Sequence, residues 1–132
     1  MTSAAIARLA LGLVFLYHGL VPKLLFLSPD EVRMIEAHCW PLSTQRIAEV
    51  AGAAEIVLAL DLAILLLRRS RWPLWLAAAA LLGLLVDVAL FAPELLLGAF
   101  NPVSTNVAAL ALCAIALLGE RDATPPRPPP LR

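Results

Sequence analysis

Four long apolar stretches organise the chain, at about residues 4–27, 44–67, 72–97 and 102–118. Each approaches the ~20 residues that an α-helix needs to cross ~30 Å of hydrocarbon, the fourth being the shortest. The pattern predicts an all-α integral membrane four-helix bundle over 1–121, followed by a disordered, extended proline-rich tail at 122–132. The first stretch starts like a secretory signal, but no small-x-small cleavage site follows. It runs on into Tyr17-His18-Gly19-Leu20-Val21-Pro22-Lys23 and is read as a retained membrane helix. Between the first two stretches, Ser28-Pro29-Asp30-Glu31 reads as a helix start, with Ser as N-cap, Pro at the first helical position and Glu three residues after the cap. Val32, Ile35 and Cys39 then recur at helical spacing until Pro41, which predicts a short amphipathic helix lying on the outer membrane surface.

Composition agrees with lipid as the solvent. The chain is 61% hydrophobic and 15% charged, whereas soluble domains run near ~45–50% and about 25%. A net charge of zero removes the electrostatic case for a nucleic-acid partner. Seven of the ten basic residues (Arg8, Arg68, Arg69, Arg71, Arg121, Arg127 and Arg132) share one side with both termini, while Lys23, Arg33 and Arg46 fall on the other. The positive-inside rule therefore places both termini in the cytoplasm, and a bacterial cytoplasmic (inner) membrane is the expected location.

Charged side chains inside a span are costly and usually face the bundle interior, so their depths locate the chemistry. Counted from the outer helix ends, Lys23, Glu49, Glu94 and Asn106 form a shallow layer, and His18, Glu55 and Asp87 a deeper one, roughly 9 Å of helix rise below. These seven residues are the candidate polar pocket, and the expected pairings are Lys23 with Glu49 and His18 with Glu55. Gly12, Gly19 and Lys23 share a face of the first span, where glycines would admit a neighbouring helix. Glu49, Glu55 and Asp61 are six residues apart, hence about 120° from one another, and cannot all face one neighbour. Asp61 either meets Arg8 or turns one carboxylate toward another chain, so a homo-oligomer or partner subunit is expected. Pro22 and Pro93 should kink their helices and free the carbonyls of His18 and Ala89. His38 beside Cys39 is too short a pattern to argue a metal site, and Cys113 reads as a small packing residue. The residues imply no metal.

Gly19-Leu20-Val21-Pro22-Lys23-Leu24-Leu25-Phe26, then Ser28-Pro29-Asp30-Glu31, resembles the first-span motif of the DoxX-like membrane proteins. Glu55 in an Ala/Gly-rich second helix, Ala92-Pro93-Glu94, and Phe100-Asn101-Pro102 through Asn106 extend the likeness over nearly the whole chain. Where a His before the Phe and a Lys before the last Asn are common in that family, this chain has Ala99 and Thr105. The resemblance implies a compact four-helix membrane bundle. It also implies kinship with small subunits associated with sulfur or quinone oxidoreduction, and with homologues fused to NAD-binding epimerase-like domains, a domain this sequence does not contain.

The expected function is thus an accessory or partner subunit linked to redox metabolism, not an enzyme on its own, with a polar pocket in the outer half of the bundle. The alternatives are a quinone- or apolar-substrate-binding oxidoreductase subunit, with quinone as the cofactor, and a small proton-coupled transporter. The sequence has no Cys-x-x-Cys and no paired haem ligands at matched depth, so an electron carrier would come from a membrane oxidoreductase partner.

Overall fold

A computed structural model of the chain describes residues 1–64, 70–99 and 101–122, apart from the side chains of residues 121 and 122. Arg68 and Arg69, and almost all of the proline-rich tail, lie outside these residues. Helix α1 (Ser3–Gly19) starts at Thr2, whose hydroxyl accepts the Ala5 amide, and passes into a π-helical turn at Leu20–Leu25. After it come α2 (Pro29–Glu36), α3 (Thr44–Ile64), α4 (Trp72–Phe91), a 3₁₀ turn (Pro93–Leu97) and α5 (Pro102–Asp122). Among the described residues every regular element is helical.

Among the described residues, three helical stretches are long and apolar enough to cross a membrane: Ser3–Leu25, Trp72–Phe91 and Pro102–Glu120. α3 is as long, at 21 residues, but carries Arg46, Glu49, Glu55 and Asp61. α1 lies along both α3 and α5, and α5 along α4, whereas α3 and α4 meet only briefly. The interior is built largely of Ala7, Leu11, Ala59, Ala77, Ala109 and Ala116, with Phe15, Leu62 and Leu81 among the larger members. Large apolar side chains such as Leu13, Val50, Val57, Val86 and Leu90 point outward. Small residues inside and bulky apolar ones outside is the arrangement a lipid solvent favours, because helices there associate by close packing and not by escape from water.

The α1–α3 seam is the tightest. A Cβ built on Gly19 would come 2.6 Å from the carbonyl oxygen of Gly52, and one on Gly52 would meet the oxygen of Gly19 at 2.6 Å. A Cβ on Gly12 would lie 3.3 Å from the Ala59 oxygen. The two backbones touch here because neither glycine has a side chain.

The two internal prolines act differently from the kinks expected of them. Pro22 has no amide hydrogen for the His18 carbonyl, and the chain widens into the π-helical turn, with Phe26 N–H donating to the Val21 oxygen five residues back. The His18 carbonyl accepts from the Lys23 ammonium at 3.4 Å and is not free. Pro93 ends its helix outright. The residue before a proline is pushed out of the helical region, and Ala92 sits at φ −143°, ψ 56°. α4 therefore stops at Phe91, and the expected continuation to residue 97 is the separate 3₁₀ turn that carries Glu94.

The expected short helix forms as α2. Ser28 Oγ accepts the Glu31 amide at 3.2 Å, and the acidic Asp30 and Glu31 lie in its first turn, where the helix dipole favours negative charge. It ends in a turn with Cys39 at φ 51°, the left-handed conformation in which a helix commonly stops.

Candidate functional site

Lys23 is the centre of the half of the molecule that carries α2. The π-helical turn aims its side chain into the molecule, where it is 6% exposed. Its ammonium lies 2.9 Å from Glu31 Oε1 on α2 and 3.1 Å from Glu55 Oε1 on α3, besides its bond to the His18 carbonyl. One cation thus joins three segments of chain. The Lys23–Glu49 and His18–Glu55 pairings expected from helix depths are both replaced. A lysine side chain is long enough to cross between the two layers, and α3 is rotated so that Gly52 meets α1. That rotation leaves Glu55 on the inner flank of Gly52 and Glu49 on the outer one. Glu49 is exposed and accepts from Gln45 Nε2 at 2.9 Å.

Two cavities adjoin this cluster. One, of about 510 Å³, is a chamber between α1, α2, α4 and α5, closed on one side by the 3₁₀ turn. His18, Glu31, Glu55, Glu94 and Asn106 line it together with Val14, Phe15, Leu81, Leu84 and Val88. The other, of about 490 Å³, is a cleft between α3 and α4 that Lys23, Glu31, Glu55, His38 and Asp87 border at its polar end. Of the seven residues singled out from sequence, His18, Glu55, Glu94 and Asn106 come together around the chamber. Lys23, Glu55 and Asp87 border the cleft, and Glu49 lines neither. The chamber is mostly apolar with a few convergent polar groups, the usual make-up of a small-molecule site. Asn106 is buried, and its amide donates to the Leu81 carbonyl at a long 3.4 Å. The imidazole of His18, half-buried against the edge of Tyr17, faces the chamber without a hydrogen-bond partner among the described residues.

His38, weighed in the sequence only beside Cys39, has partners that the sequence did not suggest. Its Nδ1 lies 2.8 Å from the Met34 carbonyl and its Nε2 2.8 Å from Asp87 Oδ1. The ring sits against Phe91 at 4.2 Å between centroids and Trp40 at 5.1 Å. A carbonyl accepts only, and a carboxylate accepts only, so both ring nitrogens donate and the pair is an imidazolium with a carboxylate. The bond to Asp87, then the bond to Met34, raise the His38 pKa above its ordinary 6.5. Because the folded pKa lies above the unfolded one, the stabilisation is complete below about pH 6.5 and disappears as pH rises through the raised value. Thermal stability of the wild type relative to His38→Gln should accordingly shrink from pH 6 toward alkaline pH. A gap independent of pH would rule out the ion pair. With both ring nitrogens engaged, His38 is not turned to a metal shared with Cys39. Among the described residues no three His, Cys, Asp or Glu side chains gather as a metal site.

At the opposite end, Arg8 is fully buried. Its Nη1 donates to Glu120 Oε1 at 2.7 Å and its Nε to the Leu62 carbonyl at 2.8 Å. Arg71 donates to the Glu120 carbonyl at 2.8 Å. This replaces the expected Arg8–Asp61 contact, and Asp61 has no hydrogen-bond or ion-pair partner among the described residues.

The sequence profile of the DoxX-like family matches residues 12–114, most of the chain, including the Lys23 cluster and both cavities' polar residues. The protein belongs to the DoxX-like family. With its apolar helices, this makes it a membrane protein. No curated protein and no solved structure matches the chain. Within the matched stretch, Gly19 makes the helix contact and Lys23 the ion cluster.

Proposed function

We propose that this DoxX-like protein is a four-span subunit of the bacterial cytoplasmic membrane, both termini inside, that binds an apolar molecule with a hydrogen-bonding head in its outer half and serves a partner oxidoreductase. The observation that carries the reading is the chamber of about 510 Å³, lined by an imidazole without a hydrogen-bond partner among the described residues, His18 on α1, and a weakly bonded amide, Asn106 on α5. α3 is read as the fourth span because it lies along α1, and its Glu55 is neutralised by Lys23.

A quinone fits this donor set. Its ring suits the apolar wall of Phe15, Leu81 and Leu84, and its carbonyl oxygens suit N–H donors from His18 and Asn106. A bound quinone would supply the electron-accepting chemistry, while the protein binds and orients it. Asp61, half-buried and without a partner among the described residues, supports contact with a second polypeptide. Carboxylates within a span usually face protein and not lipid.

The test is equilibrium binding of a short-chain benzoquinone to the protein in lipid nanodiscs. Saturable binding is expected, weakened about tenfold by His18→Ala or Asn106→Leu, the upper end for loss of one hydrogen bond. Wild-type protein that binds no more quinone than empty nanodiscs would dismiss the reading.

A further inference from the structure

Of the two spaces, the cleft between α3 and α4 is the more open. Three observations meet there. The first is that α3 and α4 form the loosest seam between long helices. The cleft is also kept open by small residues, Ala51 on one wall and Ala80 and Gly83 on the other. Gly83 is exposed in the middle of α4, and a Cβ placed on it would meet no atom within 4 Å. This contrasts with Gly19 and Gly52, which are filled by opposing backbone. Finally, the cleft and the chamber have a wall in common, formed by Phe15, Glu31, Met34, Glu55, Leu81 and Leu84. Met34, unbranched and flexible, comes from α2, which has no buried residue of its own.

The polar end of the cleft is tied to α4 through His38, by a hydrogen bond to Asp87 and ring contact with Phe91. His38 Nε2 reaches Asp87 at 2.8 Å and so fastens the segment after α2 to α4 across the top of the α3–α4 seam. Lys23 and Glu31 hold the other end of α2 at 2.9 Å.

We propose that the α3–α4 cleft is the lateral entrance through which the chamber's ligand, an apolar molecule with a polar head, arrives from surrounding lipid, with His38–Asp87 as its latch. The ligand class rests on the function proposed above. The membrane supplies such molecules at the cleft mouth, and the path matches their shape. The apolar part slides along Ala51, Ala80 and Gly83, while the head stays near the charged rim.

An entrance changes rates and leaves affinity alone, which separates this proposal from the binding reading. The experiment uses protein in phosphatidylethanolamine–phosphatidylglycerol nanodiscs, with Trp72→Phe and Trp75→Phe leaving Trp40, at the cleft, as the reporter. Short-chain benzoquinone is added in a stopped-flow instrument, and Kd is measured separately by flow dialysis. Gly83→Leu, and independently Ala80→Leu, are expected to slow association and release together by at least tenfold with Kd changed less than twofold. His38→Phe is expected to speed both. Saturable binding with unaltered rates in both cleft variants would overturn the entrance and leave the chamber reading standing. Absence of saturable binding in the wild type would overturn both. Should Gly83→Leu fail to fold, Ala80→Leu and His38→Phe decide the matter by their opposite effects on rate.

Discussion

Gly19→Ala and Gly52→Ala are each expected to lower the stability of the detergent-solubilised protein by about 3 kcal/mol, the upper end of the range for an overpacked contact. The added methyl would stand 2.6 Å from a carbonyl oxygen of the opposing helix. That oxygen belongs to backbone and cannot rotate away, so α1 and α3 must separate. In lipid this matters more than the same strain in a soluble core, because close packing is itself the main source of helix association. The loss should extend to the ion cluster, since Lys23 and Leu24 side-chain atoms lie 3.2 and 3.1 Å from the Gly52 Cβ position. Gly83→Ala is the matched control. It adds the same methyl to the middle of a helix but meets no atom within 4 Å, and the better helix propensity of alanine should raise stability by up to about 1 kcal/mol. Thermal unfolding followed by near-ultraviolet circular dichroism distinguishes the two cases. Equal shifts for Gly52→Ala and Gly83→Ala would mean that the seam is not held by backbone contact.

The second large effect is expected from Lys23→Met. The substitution keeps the length of the side chain but removes the cation from between Glu31 and Glu55. Breaking a buried pair from one side costs about 3–5 kcal/mol, because the remaining charge is left without compensation. Here two carboxylates lose their partner at once, and the connection between α1, α2 and α3 goes with them. Adding Glu55→Gln to Lys23→Met should restore part of the loss, and the double-mutant cycle should give a coupling well above the scatter for independent sites, about 0.5 kcal/mol. Lys23→Met combined with Glu49→Gln should show no such recovery, since Glu49 faces outward and is held by Gln45. Recovery with Glu49→Gln instead of Glu55→Gln would reverse the assignment of the pair.

These expectations depend differently on sequence and on structure. The all-helical character, the membrane environment and the start of α2 follow from local chemistry: the length of apolar runs, a Ser-Pro-Asp-Glu start, and prolines that disturb the backbone where they stand. Glycines on one face of the first span likewise announced a close helix contact. Pro93 shows the limit of such reading. Its effect on the preceding residue was evident, but whether a helix bends through a proline or stops at it depends on what the chain can pack against afterwards.

The site was legible as a set of residue types and not as a set of pairs. Periodicity gives the angle of a residue about its own helix axis. It leaves open how far each helix is turned and shifted against its neighbour. Meeting Gly19 at Gly52 turned Glu55 inward and Glu49 outward, and so Lys23 found a partner six residues from the expected one. His38–Asp87 and Arg8–Glu120 join positions 49 and 112 residues apart, and no local pattern marks either. The sequence by itself determined a helical membrane protein with carboxylates and a lysine to place within its helices, because these follow from the cost of moving each residue between water and lipid. Which carboxylate the lysine meets, and where the cavities open, only the tertiary structure decided, because both depend on the rotation of whole helices set by backbone contact between two glycines.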